Sequence, residues 1–495
     1  MFFSEQAGTE NRACRPIHQG RDSGKETPPQ VGATIRAPLL QENIAIPPGL
    51  IGDVCRFIYD AAPHPNPDIA MAGAIAFVAG ICGKSYNTYT NAGLNQYILL
   101  LASTGMGKEA AASGIAKLFN AIGKTVPAAG EFKGPALVSS AGLLKWLDKK
   151  PSVVSIIGEF GYKLKAISSP KANPNDEMLK ATLLDLYGKS GAGSVVDPMA
   201  YSDRDKHTDV IQAPSLTLLG ESVPGVVYEA LNDSVVLSGL LPRFMLIEAR
   251  GNRSPLQEAP AMSPNPMLTQ ALADLCATSL TLNRGHNVHT VPADPEARAK
   301  FREFGQWVTD QINGNTSEIY RELWNRAHLK ALKLATLCAV GINPNDPVVT
   351  INETMWATNV IVGQVMPLLA RFEAGDVGQL AGSQSKQERE IMRVIAEYCT
   401  KPWEACSKYH GTKAMHDELV ITKAHIQQRL YATASFKDDK QGPKAAVERG
   451  LKSLCEADII REVPRAQMVE RFGKQAYAFA PSDPQAILSA AGADV

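Results

Sequence analysis

The chain has 495 residues, enough for about two to four domains. Its 50 lysines and arginines balance 50 aspartates and glutamates, which excludes a global field for nucleic acid, so DNA contact would need a local basic patch or a pore. The 8 cysteines form no CxxC pair, no signal peptide is visible, and the longest apolar stretch, Ile69–Cys82, is too short to span a membrane. We therefore expect a cytoplasmic protein without a membrane partner.

The first region of the chain is polar. Residues 1–45 are rich in Gly and Pro and lack periodicity, which predicts a disordered tail. Residues 46–86 predict an N-terminal helical collar, with one helix over Ile46–Asp60 and a second that Asp68 caps and that ends near Gly83. A short strand over Asn87–Thr90 opens the region 87–255, which carries the chemical motifs.

The central motif is Tyr97–Glu109, with the sequence YILLLASTGMGKE. A buried strand, a small-residue loop and an Ala-rich helix follow one another, as in a P-loop, whose amides and lysine hold nucleotide phosphates. The alternative is an ordinary strand–helix turn. The candidate nucleotide-binding residues are Ser103, Thr104, Gly105, Met106, Gly107, Lys108 and Glu109.

The P-loop pattern is incomplete at two positions. Ala102 and Glu109 stand where GxxxxGK followed by Ser or Thr has Gly and a hydroxyl. The loss of the first Gly is a mild change, but the hydroxyl normally binds Mg²⁺. Glu109 could replace it as a metal ligand, although it places negative charge near the phosphates.

A second candidate carboxylate follows the predicted strand Val153–Ile157. Such a strand is expected to bring an acid beside Mg²⁺ and the attacking water. Glu159 is therefore both a candidate catalytic residue and a candidate metal ligand, while Gly158 occupies the usual place of a second acid. The alternative is a glutamate at an ordinary strand end.

Two further candidate catalytic residues lie downstream. The predicted strand Ile211–Ser222 places Ser222 at a tip where ligands gather in open α/β sheets, so it could sense a γ-phosphate or only cap the local turn. Arg243, in Ser238–Glu248, could act as an arginine finger on a neighbouring subunit or form a salt bridge at a strand edge.

The remainder is predicted to be mostly helical. A helical domain over 256–373 contains helices predicted at Pro295–Asn313, Ser317–Gly341 and Asn352–Phe372. A linker at 374–385 precedes a domain at 386–482, and 483–495 form a tail. Helices followed by a hairpin around a charged turn, residues 470–474, predict a winged helix. Its candidate DNA-binding residues are Lys444, Arg449, Lys452, Arg471 and Lys474.

Several motifs occur in a characteristic order: STGMGKEAA, VVSIIGEFG, LLDLYG, PSLTLLGESVP, GLLPRFML and LKALKLATLCAVG. Over about residues 46–372 this order resembles a family of helicase-like P-loop proteins of phages, plasmids and integrated elements, often fused to or encoded beside primases. The resemblance implies an ATPase ring, expected to be a hexamer, that acts in DNA replication in the cytoplasm of a bacterial host, with a primase as a possible partner. It also implies that Lys108 is the Walker A lysine, Glu159 the Walker B glutamate, Ser222 the sensor and Arg243 the finger.

The expected fold is therefore α/β: a P-loop NTPase with a RecA-like or AAA+-like parallel sheet, flanking helices and a C-terminal winged helix. The first functional hypothesis is an ATP- and Mg²⁺-dependent motor that threads single-stranded DNA through a pore lined by 163–176 or 195–207. The second is a non-motor, ATP-switched initiator or loader that binds duplex DNA through the winged helix. The third is an inactive scaffold in which the changes at Glu109 and Gly158 have abolished the metal chemistry.

Overall fold

The computed structural model describes residues 46–169, 172–198, 209–231, 233–373, 377, 383–406, 411–437, 439 and 441–483. The predicted tail at 1–45, residues 484–495 of the predicted tail at 483–495, most of the predicted linker and residues 199–207 of the predicted pore loop 195–207 lie outside the described residues. No helix of the described segments is both long and apolar enough to cross a membrane.

The region up to residue 248 alternates helices and strands. Its elements are α1 (Gly49–Asp60), α2 (Pro67–Cys82), β1 (Tyr86–Asn87), β2 (Tyr97–Leu101), α3 (Glu109–Ile122), α4 (Ser140–Lys149), β3 (Ser152–Ile157), α5 (Phe160–Ile167), α6 (Pro174–Gly188), β4 (Val195–Val196), β5 (Ile211–Gln212), β6 (Ser215–Ser222), α7 (Pro224–Ala230), α8 (Asp233–Leu237), α9 (Leu240–Arg243) and β7 (Phe244–Glu248).

Four of these strands form a parallel sheet in the order β3-β6-β2-β7. Every residue of β2 and β6 is buried, which agrees with the near-continuous apolar sequence expected of a parallel strand covered on both faces. The predicted strand Ile211–Ser222 is divided, because Pro214 follows Ala213, whose φ of 41° ends β5 before β6 begins. The molecule is thus a mixed α/β protein with a parallel sheet and flanking helices.

Helix α2 packs against all four strands of the sheet and against α3. Its small residues permit this close approach: a Cβ on Gly80 would lie 2.6 Å from Cβ of Val154. The prediction that 46–86 forms a collar is therefore wrong for α2, which is a core helix. Its N-cap is Asn66, whose side chain accepts the N–H groups of Asp68 and Ile69, and not Asp68 as predicted.

A helical region follows the sheet and contains α10 (Pro266–Arg284), β8 (His289–Thr290), α11 (Pro295–Asn313), α12 (Glu318–Asn325), α13 (Ala327–Ile342) and α14 (Ile351–Glu373). The bounds of α11 match the prediction. The helix predicted over Ser317–Gly341 is broken at Arg326 into α12 and α13. Helix α10 was not predicted. Strand β8 pairs in parallel with β1, which covers only the start of the strand predicted at Asn87–Thr90.

The C-terminal region contains α15 (Ser383–Thr400), α16 (Trp403–Cys406), α17 (Lys413–Asp417), β9 (Ile421–Thr422), α18 (Lys423–Leu430), α19 (Ala434–Lys437), α20 (Gly442–Glu456), β10 (Ile460–Val463), α21 (Arg465–Phe472) and β11 (Ala478–Pro481). Strands β10 and β11 pair antiparallel, and β9 joins β11 as a third strand.

The connection between β10 and β11 differs from the prediction of a charged turn. It contains helix α21, in which Met468 is fully buried, and Gly473 at a φ of 62° ends this helix. Residues 465–472 favour a helix because most are good helix formers with one apolar contact to bury. Arg471 consequently lies on a helix and not at the tip of a wing.

Candidate functional site

The loop over Ser103–Lys108, here called the glycine loop, leaves the carboxyl edge of the sheet after β2. The Ala102 N–H donates to the Ser222 carbonyl, 3.0 Å away, which ties the start of the loop to the end of β6. Gly105 and Gly107 have φ values of 84° and 81°, which only glycine adopts without strain. These two residues turn the backbone between the strand and α3.

The glycine loop leaves several backbone N–H groups without an acceptor. Within it, Met106 N–H donates to the Ser103 carbonyl at 3.1 Å, and Ala110 N–H donates to the Gly107 carbonyl at 3.0 Å. The described part of the chain offers no acceptor to the amides of residues 104, 105, 107, 108 and 109. Free amides at a helix N-terminus form an anion-binding concavity.

Lys108 and Glu159 meet at this loop. The Lys108 ammonium forms an ion pair with Oε1 of Glu159, which reaches it from β3 across the intervening strand β6. Glu159 has a φ of 52°, an uncommon conformation for a residue with a side chain that costs about 1 kcal/mol or more. The sequence prediction that these two side chains lie together is therefore consistent with the structure.

Glu221 is a third ionisable residue of the site, and it is not among the candidate residues selected from the sequence. Its side chain is buried, and its Oε1 atom has no hydrogen-bond partner within the described segments. Burial raises the pKa of Glu221 to about 7, and the negative charges of Glu109 and Glu159 add to the shift while Lys108 opposes it. A sequence signal existed: a carboxylate in an otherwise apolar strand.

Ser222 lies on the opposite face of β6 from Glu221, since successive strand residues alternate. A Cβ added to Gly161 would lie 2.3 Å from the Ser222 hydroxyl oxygen, so this hydroxyl lies against α5. Ser222 is fully buried, and its hydroxyl donates to the Val223 carbonyl at 3.4 Å. At this strand tip, the Glu221 carboxyl is the group whose pKa responds to the charges of Lys108, Glu109 and Glu159.

His64 and Arg253 also border the glycine loop, and neither was selected from the sequence. A Cβ on Gly107 would lie 3.2 Å from the His64 carbonyl oxygen, and one on Gly105 would lie 3.7 Å from Nη1 of Arg253. His64 Nδ1 is 2.8 Å from the Ser254 carbonyl, which can only accept, so Nδ1 carries the proton and Nε2 accepts from Arg253. Sequence periodicity gives no signal for these contacts, because both residues lie in irregular segments.

Arg243 is not brought to the glycine loop of its own chain. It precedes Phe244, which pairs with Tyr97 at the amino end of β2, whereas the loop follows Leu101 at the other end. The five residues of the strand separate the two by about 16 Å. Arg243 donates to the Gly239 carbonyl at 2.6 Å, and its role as a finger for a neighbouring subunit stays a prediction.

Most candidate DNA-binding cations of the C-terminal region are paired with carboxylates of the same chain. Arg449 contacts Asp439, Arg471 contacts Glu418 and Lys452 lies 3.7 Å from Glu456. Lys444 and Lys474 have no such ion pair among the described residues. Any phosphate contact by the three paired side chains would have to compete with these carboxylates.

The site has residues suited to magnesium. Among the described residues, no three His, Cys, Asp or Glu side chains form a group that could hold a metal. Magnesium that binds with a nucleotide needs only one or two carboxylates besides the phosphate oxygens. Glu109 follows Lys108 at the start of α3, and the unpartnered Oε1 of Glu221 is a buried atom that a cation would satisfy. The residues present therefore fit the ion.

The chain matches no known protein-family model and no curated protein. The geometry of the site, together with the sequence, is therefore the basis for assigning a function.

Proposed function

We propose that this protein is a P-loop ATPase whose hydrolysis drives a helicase-like motor on DNA. One observation carries the nucleotide part: free loop amides, Lys108, Glu159 and Glu221 converge at the carboxyl edge of one parallel sheet. The DNA part is supported by the order of sequence motifs and by the basic residues of the C-terminal region.

The glycine loop would bind the β- and γ-phosphates. Amides at the N-terminus of α3 and the Lys108 ammonium supply the donors and the positive charge. A phosphate would compete with Glu159 for Lys108, because both anions seek the same ammonium group. Arg253, beside Gly105, offers a second cation from the same chain.

Hydrolysis needs a group that orients water and a group that holds the metal. Glu159 would orient the attacking water once its carboxylate separates from Lys108. Glu109 and Glu221 would hold Mg²⁺, which when bound neutralises charge that develops on the phosphoryl oxygens. Since the Glu221 carboxyl has a pKa of about 7, it would have to lose a proton to serve as a ligand at neutral pH.

The arrangement of subunits completes the proposal. A motor of this class would act as a ring, expected to be a hexamer, with Arg243 directed at the nucleotide of a neighbour. Single-stranded DNA would pass through the ring, and Lys444 and Lys474 are the cations available for further phosphate contacts.

The test is Lys108→Ala, with Lys124→Ala, an exposed lysine after α3, as the matched control. We expect the parent and the control to bind ATP and to hydrolyse it with Mg²⁺, faster when single-stranded DNA is added. Lys108→Ala should bind ATP roughly 10- to 100-fold more weakly, because a charge-assisted contact is lost. Calorimetry measures binding, and phosphate release measures turnover.

Other outcomes of this experiment distinguish the alternatives. Unchanged ATP binding by Lys108→Ala would contradict the proposed site. ATP-dependent binding of duplex DNA without strand separation would favour the initiator or loader over the motor. ATP binding without measurable turnover in the parent would favour the inactive scaffold.

A further inference from the structure

A cavity of about 160 Å³ lies beside the edge strand β7. Its walls come from α2, β7 and α14, and they are largely apolar, with Met71, Leu246, Ile247, Pro367 and Leu368 among the residues that line it. Such walls suit the faces of a flat, uncharged ring, because apolar surface is then removed from water on both sides.

The charged residues on this cavity are already paired. Asp68 accepts from Arg250 at 2.8 Å, and Glu248 accepts from Arg371 at 3.0 Å and from the Tyr228 hydroxyl at 2.7 Å. A charged ligand would have to break one of these ion pairs. The cavity therefore favours a neutral ligand over a phosphate or a carboxylate.

Gln364 is the polar group of the cavity that remains unsatisfied. Both Oε1 and Nε2 of its side chain are buried, and neither has a hydrogen-bond partner among the residues that the structure describes. Buried amides normally make hydrogen bonds with both atoms. Gln364 thus calls for a ligand that carries a donor and an acceptor side by side, as the edge of a nucleobase does.

Strand β7 and helix α2 connect the cavity to the elements that flank the glycine loop. Glu248 of the cavity is in register with Leu101, and the Ala249 N–H donates to the Leu101 carbonyl at 2.7 Å, just before the loop begins. Helix α2 links the two places as well: Met71 lines the cavity, and a Cβ on Gly73 would lie 3.2 Å from the Ala111 Cβ in α3. A ligand that spans both would place its polar base in the cavity and its phosphates on the loop.

We propose that this cavity binds the base of the nucleotide whose phosphates the glycine loop holds, with Gln364 reading the base edge. This inference rests on the proposed function. It adds the residue that distinguishes a nucleoside triphosphate from a bare polyphosphate.

The experiment compares ATP with inorganic tripolyphosphate, which has no base, by calorimetry on the full chain. Gln364→Leu should weaken ATP binding roughly tenfold, because two hydrogen bonds are lost, and should leave tripolyphosphate binding unchanged. Gln306→Leu, the same change on the exposed part of α11, is the control and should alter neither affinity.

Two results separate the base site from the phosphate site. If Gln364→Leu binds ATP as the parent does while Lys108→Ala loses both ligands, the base site is wrong and the proposed function stands. If Lys108→Ala keeps both ligands, the proposed function itself fails. Should Gln364→Leu not fold, Gln364→Glu repeats the measurement, since a carboxylate can accept from a base but cannot donate to it.

Discussion

The two edges of the central sheet treat positive charge in different ways. At the carboxyl edge, Lys108 faces Glu159 and lies close to Glu221, and several amides remain free. At the amino edge, two buried lysines donate to neutral oxygens: Lys330 to the Phe244 carbonyl at 3.1 Å, and Lys333 to Oδ1 of Asn95 at 2.7 Å. The ion pair at one edge is partly exposed, whereas the cations at the other edge lie inside the core.

Burial also shifts the pKa values at the two edges in opposite directions, because it lowers those of lysines and raises that of a glutamate. At the amino edge, burial lowers the pKa of Lys330 to about 8, and burial together with Arg326 and Arg243 lowers the pKa of Lys333 to about 7. At the carboxyl edge, burial raises the pKa of Glu221 to about 7. Lys333 at one edge and Glu221 at the other therefore titrate near neutral pH. Substitutions can test each residue separately.

The largest effect is expected from Lys333→Met. Between about pH 7 and 10.5 the native lysine is neutral while the unfolded lysine is charged, so the parent gains stability as the pH rises through this window. The variant lacks this contribution. The difference in the free energy of unfolding, variant minus parent, should be greatest near pH 7 and should fall by about 2 kcal/mol by pH 9.

Urea unfolding of both proteins at pH 7, 8 and 9 measures this difference, and all other titrating groups cancel because they are common to both. Lys149→Met, at the exposed end of α4, is the control and should show no comparable trend. A difference that does not change with pH would mean that Lys333 stays charged in the native core.

An effect of the opposite sign is expected at the carboxyl edge from Glu221→Gln, and its full extent is smaller because the pKa of Glu221 is displaced less far than that of Lys333. From about pH 4.5 to 7 the native carboxyl keeps its proton while the unfolded one ionises, so the parent loses stability as the pH rises. The variant's free energy of unfolding should therefore rise relative to that of the parent by about 1 to 3 kcal/mol across this range. This difference between the two proteins, the stability gap, should level off above pH 7.

Thermal unfolding across pH 4.5–8 checks this trend, with Glu177→Gln on the exposed start of α6 as the control. The same variant should also need more Mg²⁺ for ATP hydrolysis, since an amide is a weaker ligand than a carboxylate. A gap that stays constant from pH 4.5 to 8 would show that folding does not raise the pKa of Glu221.

The smallest effect on stability is expected from Gly158→Asp, at the position where the sequence lacks the usual second acid. A Cβ at Gly158 meets nothing within 4 Å, so the free energy of unfolding should change by about 0.5 kcal/mol or less. If the proposed function holds, hydrolysis of ATP with Mg²⁺ should increase, because the added carboxylate would be a further ligand for Mg²⁺.

The contrasting variant is Gly161→Asp, whose Cβ would lie 2.3 Å from the Ser222 hydroxyl oxygen and which should destabilise the protein by roughly 2 kcal/mol. Equal stability of the two variants would show that α5 packs on β6 loosely enough to accept the added side chain. A stable Gly158→Asp with slower hydrolysis would contradict the metal placement.

Much of the carboxyl edge could be predicted because its signals are local. The apolar strand before Ser103, the two loop glycines and Lys108 are adjacent in sequence, and strand ends in parallel sheets meet at one edge. Glu159 could be placed there for the same reason. The positions of His64, Arg253 and Gln364 could not be predicted. Each is brought to this region by long-range folding, which no periodic pattern in the sequence indicates.

The sequence by itself determined the elements: buried strands from continuous apolar runs, helices from their caps and periodicity, and the loop from its glycines. Only the tertiary structure decided that α2 is a core helix and that α21 replaces the predicted turn. It also decided that, at the end of β6, the side chain that senses the charge of Lys108 is Glu221 and not Ser222. The physical reason is that element type follows from short-range propensity and hydrophobic period, whereas facing, burial and charge pairing depend on residues far apart in the chain.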